Sequence, residues 1–184
     1  PSLIGVVVVF LIVNVAYMGS LYLMPFFLNI EMGFSTITSS LYLLIPAVAT
    51  LMLCLFTGKM AETRGNRIFV IVGCAILTMY MIAAYVMENE IAYLVAVALF
   101  LLGLTWGVCG GPVGSRIIDN VPADKRGQGS SLLAFFIYFG CALGTALFSG
   151  LFGLGSGSSG TSITELAPSV FLDGFRFTMV IGLV

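Results

Sequence analysis

Long unbroken apolar runs alternate along the chain with short polar segments. The runs cover residues 3–28, 38–57, 68–87, 91–114 and 130–152, and a sixth opens near 172. An α-helix rises about 1.5 Å per residue, so about 20 apolar residues cross roughly 30 Å of hydrocarbon. A transmembrane barrel strand needs only about ten residues and alternates in polarity. These runs are twice that length and do not alternate. The pattern therefore predicts an all-α integral membrane fold, with five complete transmembrane helices and the start of a sixth spanning 172–184.

Composition agrees with the pattern. Of 184 residues, 60% are hydrophobic and 8% are charged, where soluble domains carry about 25% charged residues. The net charge of −1 is spread over several loops and offers nothing to a nucleic acid. The chain has no histidine, which excludes an imidazole proton relay and histidine metal sites from this segment. Cys54, Cys74, Cys109 and Cys141 all lie in apolar runs and none are at CxxC spacing, so no metal site, cofactor or disulfide framework is expected. No nucleophile–base pair or carboxylate dyad falls within the runs, so the chain does not read as an enzyme.

The amino-terminal residues enter the first run without a basic segment or cleavage site ahead of it. The last run stops after about two helical turns. Both ends read as internal to a longer polytopic protein.

Charge sets the topology. Lys59, Arg64, Arg67, Arg116, Lys125 and Arg126, six of the seven basic residues, follow the second and fourth runs. Glu31, Glu88, Glu90, Glu165 and Asp173 follow the first, third and fifth. The positive-inside rule places segments 58–67 and 115–129 in the cytoplasm of a multi-pass protein of the plasma or inner membrane. The stretch GLGSGSSGTS (153–162) reads as a flexible linker. Every Asp, Glu, Lys and Arg lies at or near a run end, so this segment shows no mid-membrane carboxylate for proton binding. Neutral polar and aromatic groups remain as cavity candidates: Asn14 and Tyr17 in the first span and Trp106 in the fourth. Gly140 and Gly144, like Gly103 and Gly107, are spaced for close helix packing.

Residues 58–67, GKMAETRGNR, carry the sharpest motif. They resemble the loop signature of the major facilitator superfamily, G-x-x-x-D-R-x-G-R-R, which joins the second and third helices of each six-helix half. Gly58, Gly65 and Arg67 match its glycines and last basic position, and Glu62 stands at its aspartate. Thr63 and Asn66 replace two basic residues, and Arg64 is one place late. Residues 22–50, with Pro25, Gly33-Phe34-Ser35 and Pro46, are similar to the C-terminal half of the fourteen-helix drug:proton antiporters. So are residues 103–147, with a glycine-rich helix and a V-P-x-x-x-R-G loop. Gly110-Gly111-Pro112 resembles an antiporter signature that belongs to the other half, so its role is not carried over.

The resemblance implies that residues 1–184 are part of the C-terminal six-helix half of a transporter, facing an N-terminal half outside this sequence. It implies proton-coupled efflux of lipophilic or cationic small molecules by alternating access. Gly58, Glu62, Arg64, Gly65 and Arg67 would form a conformational latch, with Arg116 and Asp119 as candidate partners. Asn14 and Tyr17 would sit on the helix that lines the central path. A carrier of sugars or organic anions, or a non-transporting receptor or scaffold, is the alternative on the same fold.

Overall fold

The structure, a computed structural model, describes residues 3–64, 66–87, 92–119, 121–122, 125–157, 163 and 166–182. The side chains of residues 3–4, 6, 55, 58–59, 61–64, 66–67, 116–117 and 119 lie outside that description. The described chain is helical: α1 (Leu3–Phe26), continued by a π-helical turn (Phe27–Glu31), α2 (Thr36–Arg64), α3 (Asn66–Val86), α4 (Ala92–Asp119), α5 (Arg126–Ser156) and α6 (Pro168–Gly182). Five of these are long and apolar enough to cross a membrane.

The helices outrun the apolar windows at their polar ends. Residues 58–64 continue α2 instead of forming a loop, and α3 begins at Asn66. Lys59, Met60, Ala61, Glu62 and Arg64 are all strong helix formers, so the helix propagates beyond the apolar stretch. The 115–129 segment also shrinks, with α4 reaching Asp119 and α5 opening at Arg126.

The start of the expected linker, 153–156, is also helical. Packing explains why. A Cβ on Gly155 would come within 2.7 Å of Phe177, and one on Gly174 within 3.0 Å of the Phe152 carbonyl. The glycines here let α5 and α6 approach rather than giving flexibility.

Local signals set the ends. Ser35 caps α2, its Oγ accepting the Thr38 amide at 3.3 Å, after Gly33 turns the chain at φ +64°. Gly157 ends α5 in the left-handed region at φ 65°. Pro168 opens α6 at the first helical position, where a missing N–H costs nothing. Arg176 is therefore well inside a helix, where the sequence had left it near a span end.

Half of the apolar window of α1 and of α4 is buried, against 17% in α2 and α5. The first two helices are the inner ones, and the other two turn apolar faces outward. Two glycine seams hold the bundle. Along α4, a Cβ at Gly103 would strike the Pro46 carbonyl of α2, and one at Gly107 would come within 2.8 Å of Leu53. The hydroxyls of Thr50 and Thr57 donate across this seam to the carbonyls of Gly103 and Gly107, each at 2.8 Å. Along α5, a Cβ at Gly140 would meet the Asn14 side chain, and one at Gly144 the Val15 carbonyl.

Interhelical hydrogen bonds in bilayers contribute about 0.6–2 kcal/mol each. The double variant Thr50→Val, Thr57→Val should therefore lower stability by about 1–3 kcal/mol, read as a lower melting temperature of the detergent-solubilised protein. An unchanged melt would mean that the glycine contacts alone hold α2 to α4.

Candidate functional site

The site begins with the spacing of two rings on α1. Phe10 and Tyr17 are seven residues apart, so they share a face and stand about 10.5 Å apart along the axis. That gap admits one aromatic ring, and Trp106 of α4 supplies it. Its ring centre lies 5.6 Å from Phe10 and 5.3 Å from Tyr17, with both pairs stacked. Such contacts add about 0.5–1.5 kcal/mol each beyond the area they bury.

Beside this stack lies a cavity of about 280 Å³. Phe10, Trp106, Leu133 and Ile137 give it aromatic and aliphatic walls, Thr50 and Cys54 line it from α2, and Gly110 and Gly111 expose the α4 backbone to it. Among the described residues, no carboxylate and no basic side chain lines it. Both faces of the Trp106 ring are covered, by Phe10 and by Tyr17, so the stack offers a cation little ring face. A charge at mid-membrane costs about 2.5–3.5 kcal/mol or more, so these walls alone disfavour a charged occupant.

A second hollow, of about 470 Å³, runs between α1, α5 and the end of α6. Its lining, including Leu11, Val15, Leu147 and Ile181, is wholly apolar. It lacks the few polar groups that orient a solute in a binding pocket.

The three sequence candidates for the cavity are placed differently. Trp106 lines it. Tyr17 is buried against the indole, with its hydroxyl directed to Thr50. Asn14 is fully buried between α1 and α5. Its amide donates to the carbonyls of Ile137 at 2.8 Å and Phe136 at 3.3 Å. The Asn14 amide nitrogen thus ties α1 to α5, while its oxygen has no partner among the described residues.

Asn14→Leu, which removes both donors at similar size, should lower stability by about 1–2 kcal/mol and leave the cavity lining intact. A melt of the purified variant checks this, and equal stability would show that the amide contributes nothing to the α1–α5 contact.

Sequence reasoning missed Phe10, Cys54 and Gly111. The i, i+7 spacing of Phe10 and Tyr17 was the available signal for the first. Near the end of α1, Asn29 donates to the Pro25 carbonyl at 2.7 Å and accepts from Ser39 at 3.2 Å. Glu31 follows, within electrostatic reach of Arg176 on α6. Of the expected latch, Gly65 and the side chains of Glu62, Arg64, Arg67, Arg116 and Asp119 lie outside the described residues. Gly58 falls on the helical backbone of α2.

The family model described as Major Facilitator Superfamily matches residues 1–145. The chain is also similar to the riboflavin transporter RibZ of Clostridioides difficile (strain 630), at 26% identity over 132 residues. That match covers 71% of this chain and 29% of the relative. No solved structure matches the chain.

Proposed function

This chain belongs to the major facilitator superfamily, and on that premise we propose that it forms the C-terminal six-helix half of a secondary active transporter working by alternating access. The observation that carries the reading is the cavity enclosed by α1, α2, α4 and α5, beside the stack of Phe10, Trp106 and Tyr17. It lies between helices that leave outward faces uncovered, as a central path shared with a second half requires.

The proposed activity is export of small hydrophobic compounds in exchange for protons. Among the described residues no carboxylate lines this cavity, so the carboxylate that carries the proton is assigned to the N-terminal half. Segments 58–67 and 115–129 are assigned to the cytoplasmic side of the cell membrane, with Glu62 as the acid of the latch. A second reading, movement of a flavin-like metabolite, draws support from the similarity to a protein named for riboflavin transport.

The test uses the full-length protein in liposomes with a fluorescent lipophilic dye and an imposed pH gradient. Dye movement that follows the gradient and stops with a protonophore supports proton-coupled export. No movement by folded protein counts against it.

Glu62→Gln tests the latch in the same assay. A contact that biases two conformations contributes about 1–3 kcal/mol, so loss of the charge should slow transport roughly tenfold. An unchanged rate would remove Glu62 from the mechanism.

A further inference from the structure

We propose that Glu31, carried on the π-helical turn and opposed by Arg176 of α6, is a proton-binding site whose charge state sets how tightly the end of α1 packs on α6. It is distinct from the cavity carboxylate assigned to the other half. The inference rests on the transporter reading only in placing this end on the outer side of the membrane.

The π turn sets the direction of the carboxylate. Its amide bonds span five residues, as where the Met32 amide donates to the Phe27 carbonyl at 3.2 Å. In an α-helix, Glu31 would stand about 40° past Phe27. The wider turn brings it over Phe27, on the same face. Phe27 is fully buried, with its ring 4.9 Å from that of Phe175 on α6, and Arg176 is the next residue of that helix. From the other side, Ser39 of α2 donates to Asn29 at 3.2 Å. The turn is held between two helices, with Glu31 on the α6 side.

The surroundings pull the titration of Glu31 in opposite directions. Its Oε2 is closed off from solvent and has no hydrogen-bond partner among the described residues. Held so, a charged carboxylate loses hydration without a donor to replace it, and the neutral form loses far less. Arg176 lies within electrostatic reach and favours the charge. It is also the one basic residue outside the two segments assigned to the cytoplasm, about 12 Å along α6 from its first residue. Charged residues within spans are rare, are paired, and mark ion or substrate pathways.

With its proton, Glu31 stays packed. Without it, the carboxylate gains by turning to water, and the end of α1 loosens from α6. Asp173, three residues before Arg176, is exposed. Among the described residues, α1 to α5 bring no other charged side chain to this end, and Glu88, Glu90 and Glu165 lie outside that description.

The test is hydrogen exchange of the purified full-length protein at pH 5 and pH 8, corrected for intrinsic exchange and read by mass spectrometry on the peptide covering 27–34. The proton-bound form dominates at the lower pH, so corrected exchange should be roughly threefold or more faster at pH 8. Glu31→Gln, which cannot ionise, should exchange alike at both, and Asp173→Asn should behave as the wild type. A wild type without pH dependence overturns the proposal, and so does a dependence that survives Glu31→Gln or disappears in Asp173→Asn.

Arg176→Gln removes the opposing charge, so the transition should move to higher pH, and an unmoved or lowered transition overturns the part given to Arg176. Exchange requires no solute. Dye transport by a protein whose turn ignores pH would refute this inference alone, and a pH-dependent turn in a protein that transports nothing would refute the transporter reading instead.

Discussion

Gly144→Val should abolish stable folding, while Gly150→Val on the same helix should leave it intact. The two glycines differ only in what faces them. A Cβ at Gly144 would run into the Val15 carbonyl and approach the Gly19 amide nitrogen at 3.1 Å, whereas one at Gly150 meets nothing within 4 Å. Backbone cannot turn aside as a flexible side chain can, so valine at 144 must push α5 away from α1. That separation would break the hydrogen bonds from Asn14 to Phe136 and Ile137 and open the contact of Gly19 with Phe148.

Overpacking in a close-packed interior costs about 1–3 kcal/mol, and more when backbone must move. The expected loss is about 3 kcal/mol or more, a large part of a membrane protein's margin. Fluorescence-detected size exclusion after heating should show aggregated Gly144→Val and monodisperse Gly150→Val. Equal survival of both would mean that α1 and α5 do not meet along this seam.

Trp106→Ala should strike both stability and binding. The indole bridges Phe10 and Tyr17 and also forms part of the cavity wall. Truncating a packed tryptophan to alanine costs about 3–5 kcal/mol. It also deprives both α1 rings of their partner, so the cavity widens and its aromatic wall is lost. Trp106→Phe keeps a ring between the two α1 residues and should recover most of the stability.

The pair separates two roles by measurement. If the indole only packs, phenylalanine should restore transport together with stability. If it also shapes the path, the phenylalanine variant should melt near the wild type and transport more slowly, with a raised KM for the solute.

The spans were legible because burial in hydrocarbon demands long apolar runs, and nothing else in this chain competes with that signal. Helix ends were less so. The polar residues from Lys59 to Arg64 carry no apolar periodicity, yet they continue α2 through their own helix propensity. The glycines at 153 and 155 suggested a linker, and only the approach of Phe177 shows what the glycine at 155 does within a helix. Likewise, Asn14 announced itself as a polar residue within a span, but its partner carbonyls lie more than 120 residues away on α5. No local pattern could assign it to packing over solute contact. The π-helical turn Phe27–Glu31 carries no sequence signal of its own, because a π turn differs from an α turn only in its backbone hydrogen-bond register.

Native Cys54 offers the most direct test of alternating access. It is exposed, lines the cavity and is the last residue of the apolar span Thr36–Cys54. A membrane-impermeant maleimide would be applied to the full-length protein from each side in turn, using right-side-out and inverted vesicles. A transporter whose cavity opens alternately should be labelled at Cys54 from both sides, with solute shifting the balance between them. Labelling from one side only, whatever solute is present, would contradict a moving cavity and favour a static membrane scaffold.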